Sequence, residues 1–266
     1  PMVVAMFSSV AYNLVDTFFV GRLGQRPLAA MGYTFPIVLV ASGISLGLGT
    51  GVGSVVARAI GAGNHRQVRR LATDGLTLAL AIVAVLAVAG LLTIDPLFRL
   101  LGAEDEDLAL IRQYMRIWYV GTAFVVVPMA GNNAIRATGD TKWPSLIMMS
   151  GFLLNAILDP IMIFGWWIVP RMEIAGAALA TVISRATTLV FALCVLHYRE
   201  RMLDFARPKL AEALDSWKRI LYVGGPTAAT YLSGPLSIAI VTRIASSYGH
   251  PAVAALGVGL KVDAFV

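Results

Sequence analysis

Apolar positions in this chain form runs of about 20 residues or more, divided by short stretches rich in Gly, Pro and charge. A bilayer core about 30 Å thick needs about 20 helical residues to cross it. The runs therefore predict membrane-spanning helices at 1–21, 33–58, 75–98, 112–134, 144–167, 174–198 and 219–247, with an incomplete span from about 251. The fold class expected is all-α: a polytopic membrane bundle.

Composition agrees. The chain is 58% hydrophobic and 14% charged, with a mean hydropathy of +0.77, against roughly 45–50% and 25% in soluble domains. The net charge of +6 is unevenly distributed. The breaks after the second, fourth and sixth spans hold Arg58, Arg66, Arg69 and Arg70; Arg136 and Lys142; and Arg199, Arg201, Arg207, Lys209, Lys218 and Arg219. The other breaks hold Arg22, Arg26, Arg99 and Arg171, with Glu104, Asp105, Glu106 and Asp107 together after the third span. Basic loops stay on the cytoplasmic side, which predicts a multi-pass protein of the inner (plasma) membrane with a cytoplasmic N-terminus.

No basic stripe with interleaved aromatics suggests a nucleic-acid partner; the expected surroundings are membrane lipids. Cys194 is the single cysteine, which excludes an internal disulfide. His65, His197 and His250 are widely separated, so no metal or other cofactor is expected, and neither is an enzyme of solution chemistry. No cleavable signal peptide is visible. Pro1 opens within an apolar run and Val266 closes within another, which reads as a chain cut at both ends.

An internal repeat organises the chain. Gly24, Ala29, Ala30, Met31 and Gly32 match Gly249, Ala254, Ala255, Leu256 and Gly257 at an offset of 225 residues, and the same offset carries Pro1 onto Pro226. Parallel repeats of this kind build transporters around a central cavity. The expected division is a six-span lobe at 1–198, a cytoplasmic or interfacial linker at 199–218, and the start of a second lobe at 219–266, whose remainder is the expected partner. The linker reads equally as an interfacial helix or as a solvated loop.

Charges deep in the spans are few and therefore informative. Asp16 lies about 9 Å inside the outer edge of its span, and Asp159 and Thr181 each about 12 Å, at 1.5 Å per residue. Similar depths allow all three to meet. Asn155 is one turn before Asp159 on the same face, and Pro160 frees the carbonyl of Ala156. A carboxylate, an amide and a free carbonyl suit a proton or sodium ion; a purely structural Asn155–Asp159 contact is the plainer alternative. Arg185, about 18 Å deep, either pairs with one of these acids or faces the cavity. Asp95 precedes Pro96 near a span end and reads as structural. Arg243 can snorkel to the interface. Gly43, Gly47, Gly49, Gly51 and Gly53 follow no strand, so they read as close helix packing rather than a nucleotide loop. Tyr12, Tyr33, Trp118 and Tyr119 either line a cavity or pack.

Several segments, in order, resemble the multidrug and toxic compound extrusion (MATE) family. They are Tyr12-Asn13-Leu14-Val15-Asp16-Thr17-Phe18-Phe19-Val20-Gly21-Arg22-Leu23-Gly24 with Leu28-Ala29-Ala30; Gly47-Leu48-Gly49-Thr50-Gly51; Ala57-Arg58-Ala59-Ile60-Gly61-Ala62-Gly63; Arg136-Ala137-Thr138-Gly139-Asp140-Thr141; Asn155-Ala156-Ile157-Leu158-Asp159-Pro160; and Gly176-Ala177-Ala178-Leu179-Ala180-Thr181. The resemblance implies a twelve-span antiporter of two six-helix lobes that expels cationic or amphipathic compounds on a proton or sodium gradient. This chain would be the N-terminal lobe and the beginning of the next. In the DinF-like branch the coupling acids would be Asp16 and Asp159, accompanied by Asn155 and Thr181, and Pro1 matches the proline at which the first helix bends. Arg185 is not part of the family pattern; with Tyr12 and Asn13 it is a candidate cavity or ion-pair residue, and Pro160 is a candidate helix bend. The acid that another branch carries in the seventh span is missing here, where Val241 is the repeat mate of Asp16. Two competing readings are a lipid-linked precursor flippase, for which Arg185 is the one deep cation, and an intramembrane aspartyl protease, which lacks its Tyr-Asp and Gly-x-Gly-Asp motifs.

Overall fold

In the computed structural model, the described residues are 12, 14–166, 169–204 and 210–263. Residues 14–21 form α1. There follow α2 (Gln25–Gly61), α3 (His65–Leu100), α4 (Asp105–Gly121), α5 (Ala123–Ala137), α6 (Lys142–Phe164), α7 (Glu173–Cys194), α8 (Leu210–Ser246) and α9 (His250–Asp263). Among the described residues, five helices are long and apolar enough to cross a membrane: α2, α3, α6, α8, and α7 together with the π-helical turn Val195–Arg199 that continues it.

The helix boundaries have local causes. α2 ends where Gly63 takes φ 68°, and the Asn64 side chain then accepts from the amide of Gln67 at 3.0 Å, capping α3. The fourth expected span is broken into α4 and α5. At the break, the Thr122 hydroxyl donates to the carbonyl of Trp118 at 3.0 Å, and the Thr122 amide reaches Tyr119 instead. A side chain that takes the i−4 carbonyl bends its helix, and Pro128 one turn into α5 removes a further donor. Residues 210–218, expected in the linker, are the first turns of α8.

The loops alternate between two ends. At one end, Arg69 donates to the carbonyl of Leu203, Arg199 pairs with Asp140 at 3.3 Å, and Arg70 pairs with Glu212. At the other, Arg26 pairs with Glu106 at 2.6 Å and Tyr33 donates to the carbonyl of Gly102 at 3.2 Å. The breaks expected to share a membrane side thus share an end. We call the first end inner and the second outer. Between them the lipid-facing surface is apolar, with Leu92 of α3 as much as 78% exposed.

Helix α2 is central. At 37 residues it is about 55 Å long and contributes to two buried apolar clusters. The outer cluster contains Tyr33, Leu108, Ile111, Met115 and Ile163. The inner one contains Leu48, Val52, Val56, Ile135 and Ile220. A glycine seam binds α8 and α9 to α2. A Cβ on Gly47 would stand 2.5 Å from Ala228 Cβ, one on Gly51 2.5 Å from the Ile220 carbonyl, and one on Gly32 2.8 Å from the Val253 carbonyl. Gly49 and Gly53 face Asn133 of α5 on the other side. The glycine run is therefore a packing device, as its apolar context predicts.

Candidate functional site: a buried acid pocket in the outer half

The site is assembled from α1, α4, α6 and α7. On α6, Asn155 and Asp159 are one turn apart and both 0% exposed, and Asn155 Nδ2 donates to Asp159 Oδ1 at 3.0 Å. Pro160 has no amide to offer the Ala156 carbonyl one turn earlier. Asp16 of α1 is 5% exposed and lies within electrostatic reach of Asp159. The side chain of Tyr12 stands near both acids and beside Thr181 of α7. Tyr114 of α4 approaches the same group from behind, within reach of Asp16, Tyr12 and Asp159.

Arg185 forms neither of the expected ion pairs among the contacts described. Its guanidinium stacks on the Tyr12 ring, 4.4 Å from the centroid. That contact sets a cation on a π face and leaves it outside any ion pair with the two carboxylates among the described contacts.

What distinguishes the pocket is the state of its polar atoms. Tyr12 Oη, Asp16 Oδ1, Asn155 Oδ1, Asp159 Oδ2, Thr181 Oγ1 and Arg185 Nε are all buried without a hydrogen-bond partner in the protein. Buried polar groups in proteins are about 90% paired or more. The unpartnered oxygens of Asp16, Asn155 and Asp159, with Tyr12 beside Thr181, are the acceptor chemistry that a hard cation takes. Two acids held together equally favour sharing a proton, since neighbouring like charges oppose full ionisation.

The sequence-predicted residues Asp16, Asn155, Asp159, Thr181, Arg185 and Tyr12 are brought together. Pro1 and Asn13 lie outside the described residues. Tyr33, Trp118 and Tyr119 are buried in the outer apolar cluster, where Trp118 and Tyr119 meet edge to face at 5.7 Å. Asp95 accepts from Arg112 in a two-pronged pair at 2.7 and 2.8 Å, away from the pocket. Arg243 turns to Ser246 at 3.1 Å near the outer end.

Sequence reasoning missed two groups. One is Tyr114. The other is Lys261 of α9, which is 5% exposed, donates to Thr17 Oγ1 at 2.7 Å and lies within electrostatic reach of Asp16. The signal for Lys261 was available: it is a charge eleven residues into the last apolar run, and such charges mark sites. Outside the membrane zone, His250 Nδ1 sits 3.1 Å from Asp107 Oδ2, joining the start of α9 to α4. Burial pushes the Asp107 carboxyl above its ordinary range, while His250 beside it pulls the other way.

Comparison with known proteins extends this geometry. A family model described as MatE matches residues 1–161. The FAD transporter of Shewanella oneidensis is 38% identical over 263 residues, covering 99% of this chain and 58% of that protein. The probable multidrug resistance protein YoeA of Bacillus subtilis is 29% identical, covering 96% of this chain and 56% of its own length. The multidrug export protein MepA of Staphylococcus haemolyticus is 26% identical, with 100% of this chain and 58% of that protein covered. The chain thus spans somewhat over half the length of these relatives. Among solved structures, the inward-facing conformation of a multidrug resistance MATE family transporter of the MOP superfamily aligns with a TM-score of 0.86 at 31% identity, over 95% of this chain and 57% of that one. The outward-facing conformation of such a transporter aligns at 0.79 and 33% identity, over 88% of this chain and 51% of that one.

Proposed function

The chain belongs to the MatE family, and on that premise we propose that it is the first lobe, with the opening spans of the second, of a secondary antiporter. The protein sits in the inner membrane with its N-terminus in the cytoplasm. It exports amphipathic organic compounds, cationic ones foremost, against inward movement of a proton or a sodium ion. The rest of the second lobe supplies the facing wall of the cavity.

The observation that carries this reading is the pair of buried acids Asp16 and Asp159, each with an unpartnered oxygen and each within electrostatic reach of the other, beside Asn155, Tyr12 and Thr181. A proton or sodium ion arriving from outside binds the two acids and removes their mutual repulsion. That lets α1 move against α6 and α7 and shrinks the space open to substrate. Each ligand shifts the balance between inward-facing and outward-facing states only by its differential affinity for the two.

The test is drug susceptibility of cells expressing the full-length protein or its Asp159→Asn or Asp16→Asn variant, in medium with and without sodium. Loss of resistance in both variants, with insertion intact, is the expected result. Wild-type resistance in either variant would refute the coupling role of that acid. The sodium-free arm separates the two ions.

A second cargo is favoured by one specific observation. The relative at 38% identity is named an FAD transporter. Flavin dinucleotide accumulating in the medium of expressing cells, without drug resistance, would select this cargo over organic cations.

A further inference from the structure

Lys261 is a buried ammonium for which the coupling scheme has no role. It belongs to α9, in the second repeat, yet its Nζ is held by groups of the first lobe. These are Thr17 Oγ1 at 2.7 Å, Met31 Sδ at 3.4 Å and the Phe35 ring at 5.5 Å from the centroid. One hydroxyl, a thioether and a ring face are a sparse shell for a charge removed from water, and burying an ammonium is costly unless an anion compensates. The anion within reach is Asp16, next to Thr17 in sequence, whose Oδ1 is buried and without a hydrogen-bond partner. The reach has a geometric cause. Helical side chains lean toward the N-terminus of their helix, so the long stem of Lys261 rises from α9 toward the outer end, where α1 and the start of α2 lie.

We infer that Lys261 is a tethered competitor of the coupling cation: in the conformation seen here, its ammonium supplies Asp16 with positive charge from across the lobe boundary, so that the proton or sodium ion is released. Movement of α9 away from α1 withdraws that charge and leaves the acid free to take an ion again. Lysine and ion thus alternate at one carboxylate as the lobes move. The other ionisable groups facing this region are Tyr12, Tyr114 of α4, Asp159 of α6 and Arg185 of α7. Arg185 is committed to the Tyr12 ring, which leaves Lys261 as the cation placed to compete among the described residues.

The inference rests on Asp16 as a coupling group, and the experiment separates the two claims. Proton and sodium titrations of purified full-length protein, followed by intrinsic tryptophan fluorescence, are compared for the wild type, Lys261→Gln, Lys261→Met, Lys261→Arg and the Lys261→Gln/Asp16→Asn double variant. Lys261→Gln keeps a donor for Thr17 and removes the charge, so it remains a fair test if Lys261→Met fails to insert. Competition predicts that Lys261→Gln binds the coupling cation about tenfold more tightly, the scale of one unit expected for loss of a neighbouring positive charge. Lys261→Arg should match the wild type, and the shift should vanish in the Asp16→Asn background. A merely structural lysine would weaken cation binding or leave it unchanged when replaced, and either result overturns the inference. Efflux by Asp16→Asn alone, measured separately, decides the coupling reading.

Discussion

The two ends of α2 meet their neighbours in opposite ways. Toward the inner end, Gly47 and Gly51 let Ala228 and the Ile220 carbonyl of α8 come within about the distance a single methyl would occupy. The contacts there are apolar and backbone, set in a buried apolar cluster. Toward the outer end, α2 borders the region where Lys261 of α9 reaches Thr17 of α1 and where six buried polar atoms lack partners. The α2–α8 seam has used up its interactions in packing. The other keeps unspent polar capacity, as a site that must take and release a ligand requires.

The largest expected effect tests the outer region. Asp159→Asn should reduce efflux to the level of cells lacking the gene while the melting temperature of the purified protein does not fall. A drop of about 10 °C or more would move Asp159 into the class of structural acids.

Next is the seam. Gly51→Leu should cost about 3 kcal/mol or more by overpacking against the Ile220 carbonyl and Gly224, measured as loss of folded, monodisperse protein. A sharper contrast lies in two adjacent residues of α8. Gly224 has the Gly47 carbonyl 2.7 Å from a built Cβ, whereas Gly225 has open space. Gly224→Ala should destabilise by about 1–3 kcal/mol, and Gly225→Ala should stabilise by up to about 1 kcal/mol through helix propensity. Equal effects at the two positions would mean that α8 does not pack on α2 along this register.

A smaller, pH-dependent effect lies at the outer rim. Asp107 has its carboxyl raised by burial, so the folded state holds its proton more tightly than the unfolded one. That contribution is present at low pH and is lost as pH rises through the folded value. Thermal stability should fall as pH rises through the range in which buried Asp107 ionises, and Asp107→Asn should flatten the slope. A slope of the opposite sign in the wild type would contradict the burial argument.

The smallest effect belongs to the Asp95–Arg112 pair, which is partly exposed on both sides. Asp95→Asn should change stability by less than about 1 kcal/mol and leave efflux as it is, an internal control for the pocket acids.

Much of this was legible in one dimension. Long apolar runs are a composition signal strong enough to survive tertiary context, so the span at 75–98 reappears within α3 and most of that at 144–167 in α6, which ends at Phe164. Asn155 and Asp159 were legible because a spacing of four residues places both on one helix face whatever packs beside it. The break at Thr122 was not, because it depends on which carbonyl a threonine hydroxyl takes. Nor was the choice made by Arg185, whose candidate partners are two acids and one ring on separate helices.

By itself, then, the sequence determined the all-α class, the alternation of charged loops between two ends, the glycine face of α2, and the presence of two acids within apolar runs. Each of these follows from local periodicity, composition or helix rise. Tertiary structure alone decided that the acids share a pocket with unpartnered oxygens, that Arg185 lies on Tyr12, and that Lys261 reaches across from the second repeat to Thr17. Those outcomes depend on the rotation and tilt of helices up to 244 residues apart in the chain, set by which faces pack most closely, and no local pattern encodes that.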